Sequence, residues 1–259
     1  MVESAQGYSG LWASDPAVNI PPQELPYLYI SGCEVSRPSV STVQIGLGEA
    51  RDDSDSDDMV VSAVLTADIT TTGANGRNVD TAEQADKWYE VNIIRNPTSG
   101  ALAAFLINED DLGGFTYPAG YTQKRRVGWV RNNSSSNIRD FFTDGTGHFR
   151  QIFWRLELSA RNVLNSGSST GWANVDCSEF APPTCHTIWF EHYFDPYSTD
   201  NFETRANGES YTFMWLSESV LGSGAMWICN SDLNQIIEYR VGSVLSDLWL
   251  YVMGYIDIV

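Results

Sequence analysis

The sequence predicts an all-β protein, built as a sandwich or a barrel of many short strands. Runs rich in β-branched and aromatic residues recur along the chain, and several of them alternate between apolar and polar residues. Turn-forming residues separate these runs at intervals of roughly 10–20 residues, as is usual in sandwiches and barrels. The alternation of strands with helices that accompanies a parallel sheet is missing. These three observations together indicate the all-β class.

The predicted strands begin after Leu28. In chain order they are Val40–Leu47, Met59–Thr70, Trp88–Ile94, Leu102–Ile107, Phe149–Leu158, His186–Phe194, Tyr211–Leu216, Ala225–Ile228, Gln235–Val241 and Leu248–Ile258. The segment Asn96–Gly100 contains proline and glycine, and it predicts a hairpin connection between the third and fourth runs. We expect short helices only at Thr81–Asp86 and Ser159–Leu164.

The first 27 residues predict an extended N-terminal arm. Proline is frequent there and prevents regular structure, and aromatic residues such as Tyr8 and Trp12 are scattered through the segment. Such an arm lies either on a neighbouring subunit or against its own domain. We expect residues 28–259 to form a single β-sandwich domain, since this length is usual for one all-β domain and no internal repeat or flexible linker divides it.

Composition and charge exclude several classes of protein. Hydrophobic residues make up 42% of the chain and aromatic residues 12%, which is too apolar for a disordered protein. The net charge of −18 argues against nucleic acid and anionic membranes as partners. It indicates either a soluble surface or a salty habitat.

Targeting signals are not evident in the sequence. Residues 1–10 show neither a basic start nor an apolar run, and no stretch reaches the 18 or so apolar residues of a membrane span. We therefore expect a soluble protein made in a cytoplasm.

Cysteines and histidines do not predict a metal or redox centre. The four cysteines, Cys33, Cys177, Cys185 and Cys229, form no C-x-x-C pair. The turn between Cys177 and Cys185 leaves a disulfide open, but four buried thiols are favoured in a reducing cytosol. His186 and His192 lie six residues apart on a predicted strand, among large apolar residues, which favours packing over metal binding.

The segment Asp52–Asp58 carries five carboxylates in seven positions and is the one candidate for a calcium loop. The EF-hand pattern fails, because counting from Asp53 the sixth residue is Asp58 instead of glycine and the twelfth is Val64 instead of glutamate. A solvated loop is the favoured interpretation. The sequence thus predicts no metal and no cofactor.

Nucleotide-binding motifs are absent as well. The sequence contains no P-loop and no dinucleotide-binding glycine motif. Glu191, Asp195, Glu203 and Asp257 would be candidates for the carboxylate pair of a glycosidase, but an acidic protein offers such pairs by chance. We expect no enzymatic activity.

Lys124, Arg125 and Arg126 form the one basic cluster. Successive strand residues alternate faces, so the cluster cannot form a continuous basic stripe. We expect pairing with nearby carboxylates, and a buried arginine here should need a bidentate acidic partner. Arg51 at the end of its strand is also placed for pairing with a carboxylate.

The sequence predicts a structural role for two glycines, Gly120 and Gly254. Pro118 and Gly120 indicate a turn before the basic cluster. Gly254 lies inside the last predicted strand, where it indicates a bulge or a close approach of another backbone.

Four ordered segments together resemble a widespread group of uncharacterised virion structural proteins of tailed phages and prophages, encoded among tail-fibre genes. The shared positions are Gly48, Ala50, Arg51 and Asp52 (G-x-A-R-D), Trp88 and Tyr89 (W-Y-x-V-x-x-I-x-x-P-x-S/T-G), Pro118, Gly120, Tyr121, Lys124, Arg125 and Arg126 (P-A-G-Y-x-x-K-R-R-x-G), and Gly254 and Asp257 near the end. The match spans about residue 28 to the C-terminus. Asp110–Phe115 is longer than in that group, and the segment from Cys177 to Cys185 has no counterpart there.

The resemblance implies a β-sandwich of jelly-roll or lectin-like type in a symmetric oligomer, with a trimer favoured. It implies a virion location, as a tail-fibre, head-fibre or decoration protein that contacts other virion proteins. The alternative is a carbohydrate-binding module that recognises a host surface glycan, for which a loop tryptophan such as Trp172 would be a ligand residue. A polysaccharide-degrading enzyme is the third hypothesis.

Overall fold

The computed structural model describes residues 25–145, 147–185, 187–218 and 224–259. The predicted arm over residues 1–27 therefore lies almost wholly outside the described residues, as does His186.

Strands dominate the described part of the chain. They are β1 (Ile30–Gly32), β2 (Val35–Ser36), β3 (Thr42–Ile45), β4 (Gly48–Arg51), β5 (Asp58–Val61), β6 (Leu65–Asp68), β7 (Gly76–Arg77), β8 (Lys87–Arg95), β9 (Leu102–Asn108), β10 (Gln123–Asn132), β11 (Phe141–Asp144), β12 (Phe149–Trp154), β13 (Asn162–Gly167), β14 (Ala173–Asp176), β15 (Thr187–Asp195), β16 (Asp200–Ala206), β17 (Met214–Glu218), β18 (Met226–Asn230), β19 (Ile236–Val241) and β20 (Asp247–Ile258). Two short 3-10 helices, Glu109–Asp111 and Leu158–Arg161, are the helical elements of these residues.

The strands form five sheets. A six-stranded sheet has the order β11-β12-β20-β15-β18, with β13 also pairing with β20. One four-stranded sheet has the order β14-β19-β16-β17 and the other β10-β8-β9-β7, while β1-β4-β5 and β2-β3-β6 are three-stranded. All pairs between these strands are antiparallel except β7 with β9. The predicted all-β class is confirmed; the jelly-roll type stays a prediction.

Two predicted elements are wrong. Met59–Thr70 was expected as one strand, but it divides into β5 and β6, because β5 pairs with β4 and β6 pairs with β3 in a different sheet. Thr81–Asp86 is not helical. Its backbone groups bond to side chains instead, since the Gln84 amide donates to the Tyr89 hydroxyl at 2.9 Å and the Gln84 carbonyl accepts from Asn132. Of Ser159–Leu164, the first part is helical and the rest begins β13.

The hairpin predicted at Asn96–Gly100 joins β8 to β9. The Asn96 side chain accepts hydrogen bonds from the amides of Thr98 and Ser99, at 3.0 and 3.1 Å. Gly100 has a φ of +73°, a left-handed conformation that glycine adopts without strain. The local sequence therefore fixes this connection.

A large apolar cluster runs between the sheets and includes residues from Ile30 to Val259. Its centre is aromatic, with the Trp88 ring centroid 5.9 Å from those of both Trp154 and Tyr255. Burial alternates along the strands that enclose it, most regularly along β15 and β20. Each of these strands therefore has an inward face in the core and an outward face available to solvent or to a partner.

Candidate functional site

The basic cluster and the acidic loop meet at the start of β10. Lys124 lies 2.9 Å from a Glu90 carboxylate oxygen and 3.2 Å from one of Asp53. The backbone is joined as well, because the Asp53 amide donates to the Lys124 carbonyl at 2.9 Å. Burial lowers the pKa of Lys124, but the carboxylates of Glu90 and Asp53 raise it by more. The pKa of Lys124 therefore lies above its usual value. Lys124 therefore neutralises carboxylates within the fold.

Arg126 and Asp257 connect the same strand to the C-terminal end of the chain. Arg126 Nη1 lies 2.8 Å from both carboxylate oxygens of Asp257, whose side chain is 1% exposed. This pair joins residues 131 positions apart. Removal of one partner would leave a buried charge, so the contact fixes how the two sheets meet.

The acidic loop is organised around Asp52, which is only 2% exposed. Its carboxylate accepts from the amides of Ser54, Ser56 and Asp57, at 3.1, 2.7 and 2.7 Å, and from the Ser54 hydroxyl. Burial raises the pKa of Asp52, and these hydrogen bonds more than reverse it, so the pKa is lowered. The favoured interpretation as a solvated loop is thus wrong for Asp52.

Arg51 lies beside this loop. Its guanidinium bonds to the side chains of Asp55 and Asp58 at 2.9 and 2.8 Å, as its position at a strand end predicts. Two loop carboxylates are therefore neutralised by an arginine.

Buried arginines do not follow the expected rule. Arg125 is 3% exposed and donates to the Leu28 carbonyl at 2.9 Å, with the Asp53 carboxylate only at 3.8 Å. Arg150 is 1% exposed and donates to the carbonyls of Gly32, Cys33 and Val127, at 2.8, 2.8 and 2.7 Å. Backbone carbonyls thus take the place of the bidentate acid at both arginines. Sequence reasoning missed Arg150, because a single arginine in a predicted strand gives no sign that its side chain is buried.

The turn at Pro118 places Tyr121 ahead of the basic cluster. The Tyr121 amide donates to the Pro118 carbonyl at 3.0 Å, and Gly120 has a φ of +83°. Tyr121 packs against a second, smaller apolar cluster. These residues form a turn that leads into β10.

Trp88 and Tyr89 point to opposite sides of β8 and are both buried. Trp88 borders an open cleft of about 480 Å³ and donates from its indole nitrogen to the Ser178 carbonyl at 2.7 Å. Arg131 lies 5.8 Å above the indole ring and is 8% exposed. Its Nε has no acceptor among the described residues. The surrounding carboxylates, including Glu109, make this cleft a poor site for an anion.

The remaining candidates are buried inside the fold. His192 is 2% exposed and accepts from the indole nitrogen of Trp227 at 3.2 Å, which fits the packing role. The four cysteines are free and buried. Burial raises the pKa of Cys33 to about 11 and that of Cys229 to about 12, so these thiols stay protonated. No group of three potential ligand side chains that could hold a metal occurs within the described ranges.

The outward side of the six-stranded sheet carries the first large surface, which we call the aromatic face. One row crosses five strands in register: Phe142, Phe153, Gly254, Trp189 and Ile228. Phe142 and Phe153 are stacked at 5.1 Å, and Phe153 meets Trp189 at 6.1 Å across the glycine. Because Gly254 has no side chain, the rings on both sides can cover its backbone.

Further apolar residues extend the aromatic face. Tyr193 and Trp249 meet at 5.2 Å, and Phe149, Met226 and Ile258 at its margins are 69%, 63% and 61% exposed. The indole nitrogen of Trp189 is buried without an acceptor among the described residues. Gly254 shows both features expected of it, because the register of β20 shifts beside it and a Cβ would lie 1.9 Å from the Ile152 carbonyl oxygen.

The outward side of the sheet β14-β19-β16-β17 carries the second surface, which we call the charged face. Arg205 pairs with Glu238 at 2.7 Å and Arg240 with Glu203 at 2.8 Å. The four side chains form two oppositely charged pairs on neighbouring strands. Burial raises the pKa of Glu203, but hydrogen bonds from Arg240 and a threonine outweigh it, so the pKa is lowered. The charges of the face thus compensate each other.

Trp172 lies on the charged face, in the loop directly before β14, and is half-buried. The guanidinium carbons of Arg205 and Arg240 lie 4.0 and 4.7 Å from its ring centroid. Trp215, 63% exposed, lies opposite Glu203 on β17. Sequence reasoning missed Trp215, although Tyr211, Phe213 and Trp215 alternate in the sequence as residues on one strand face do.

No match to this chain exists among the protein-family models or among the curated proteins with which it was compared. The resemblance to phage virion proteins thus stays a prediction. No helix within the described residues is long and apolar enough to cross a membrane.

Proposed function

We propose that the protein is a non-enzymatic structural subunit of a bacteriophage virion, of the tail-fibre, head-fibre or decoration type. The observation that carries this proposal is the aromatic face. The row from Phe142 to Ile228 crosses five strands of the sheet, and exposed apolar side chains lie at its margins. A wide exposed apolar surface of this kind is typical of a protein interface and not of a free monomer.

A second copy of this chain is the proposed occupant of the aromatic face. Closed symmetry is usual in homo-oligomers, and a symmetric assembly buries the same face on every subunit. A trimer is the favoured state, and the ordered segments that resemble virion proteins support the same assignment.

The mass of the protein in solution tests the assembly. We expect an oligomer for the wild type and at least tenfold weaker association for Met226→Lys, because this side chain is exposed at the margin of the aromatic face. Leu233→Lys is the control, since Leu233 is 77% exposed and lies outside the strands. A strict monomer at all concentrations would contradict the proposed assembly.

Particle composition tests the location. Phage particles purified from cells that encode this chain should contain it in a fixed ratio to the other virion proteins, as measured by mass spectrometry. Antibody against the chain should label one position on the particle in electron micrographs. If the chain is abundant in the lysate and missing from washed particles, the virion assignment is wrong.

A further inference from the structure

Two tryptophans flank the charged face in one row across the sheet. Arg240 and Glu203 are register partners on β19 and β16, and Glu203 is the partner of Trp215 on β17. Trp172 comes directly before β14 and lies over Arg240. At roughly 4.8 Å per strand, three strand spacings place the two tryptophan backbones roughly 14 Å apart.

The position of Trp172 is fixed by its surroundings. The Ser169 carbonyl accepts from the Val241 amide at 2.8 Å, which holds the loop against β19. The guanidinium groups of Arg205 and Arg240 lie under the ring and are themselves held by their carboxylates. A flat ring so supported loses little conformational entropy when a ligand packs on it.

The polar groups between the tryptophans are partly free to bind a ligand. The Arg240 side chain is 40% exposed, whereas Glu203 is 12% exposed and already accepts from Arg240, Thr212 and Asn201. Arg240 thus offers N–H donors to solvent, in an orientation fixed by Glu203. The neighbouring Asn174 on β14 is exposed and offers an amide on the same face.

We propose that the charged face is a binding surface for a neutral oligosaccharide. Sugar rings present C–H groups that pack on indole faces, and their hydroxyl groups accept from guanidinium and amide groups. The paired charges of the face sum to zero, and the chain as a whole carries −18, so an acidic polymer would be repelled. Trp172 and Trp215 bind separate rings of the same ligand. This inference does not depend on the virion assignment.

Calorimetry with maltohexaose, cellohexaose and xylohexaose, together with an array of neutral glycans, tests the proposal. At least one of these probes should bind. Its affinity should fall at least tenfold in Trp215→Ala, which is expected to fold because Trp215 is 63% exposed. Trp172→Ala should lower it further. Tyr27→Ala, which removes a 66% exposed aromatic side chain ahead of β1 and outside both faces, should bind as the wild type does.

Three results would overturn the proposal. The first is failure of every neutral probe to bind the folded wild type. The second is binding that both tryptophan variants retain unchanged. The third is preferential binding of oligogalacturonate, which would contradict the argument from charge. The aromatic face remains intact in the tryptophan variants, so loss of glycan binding with an unchanged oligomer mass separates this proposal from the proposed assembly.

Discussion

The aromatic face and the charged face lie on two sheets that are built by the same alternation of inward and outward residues. On the six-stranded sheet the outward positions carry rings that touch one another, such as Phe153 and Trp189. On the sheet β14-β19-β16-β17 the outward positions carry ion pairs, such as Arg240 with Glu203. Trp172 and Trp215 lie on either side of these pairs. Rings that pack together exclude water over a wide area, whereas separated rings with polar groups between them can hold a hydroxylated ligand. The spacing of aromatic residues across the strands therefore distinguishes the two surfaces.

We expect the greatest loss of stability from a substitution of Gly254, which lies beneath the rings of the aromatic face. Gly254→Ala would place a Cβ 1.9 Å from the Ile152 carbonyl oxygen, so β12 and β20 must separate. We expect a loss of about 3 kcal/mol or more in the free energy of unfolding. Urea unfolding measures it, with Gly113→Ala as control because a Cβ there meets no atom within 4 Å. Equal stability of the two variants would contradict the close approach.

The next effect concerns His192, which lies between the two sheets. Its ring is 4.8 Å from that of Phe202, on the inward side of the sheet that carries the charged face. Burial lowers the pKa of His192 from 6.5 to about 4. Between these values the unfolded chain binds a proton that the folded chain does not, so stability falls by roughly 3 kcal/mol as the pH falls through this window.

His192→Gln should remove this part of the pH dependence, because glutamine keeps an acceptor for Trp227 and does not titrate. Urea unfolding at pH 7 and pH 4.5 gives the comparison. A parallel pH dependence in wild type and His192→Gln would show that His192 does not cause it.

Replacing one tryptophan on each face by alanine shows how much each ring contributes to the stability of the fold. Trp189→Ala should cost about 2 kcal/mol of stability, since the half-buried ring packs on Phe153. Trp215→Ala should cost less than about 0.5 kcal/mol because most of its ring faces solvent. The free energy of unfolding of both variants is measured under one set of conditions. If Trp215→Ala proves the more damaging, the ring supports the fold and is not free for a ligand.

The last prediction concerns an ion pair of the charged face. Glu203→Gln removes the carboxylate that binds Arg240 and should cost about 1 kcal/mol at pH 7. Since the pKa of Glu203 is lowered by folding, its contribution is present above the pKa of the unfolded chain and disappears as the pH falls through that of the folded protein. The difference between variant and wild type should therefore vanish in acid.

Local sequence predicts the regular elements well where the signal is itself local. The hairpin at Asn96–Gly100 follows from the asparagine side chain and a left-handed glycine. The predicted strand Leu248–Ile258 differs from β20 by one residue. The strand predicted over Met59–Thr70 is wrong because apolar residues continue through the point where the chain leaves one sheet for another. A run of apolar residues does not record which strand is its partner.

The residues of the aromatic face and of the charged face were harder to predict from the sequence. Trp172 was predicted as a ligand residue, but its contacts with Arg205 and Arg240 join residues far apart in the chain. Trp215 was missed although its strand alternates aromatic residues with others. Period two places residues on a common face, but it does not say which face is buried or what lies beside it.

The amino-acid sequence was sufficient to predict the all-β class, most strand positions and the tight turns. These properties depend on residues close together along the chain. Only the tertiary structure decided that Arg126 reaches Asp257, that Gly254 lies between two aromatic rings, and that two tryptophans flank one charged row. The physical reason is that strand pairing brings together residues from distant segments, and many alternative pairings satisfy the same local pattern.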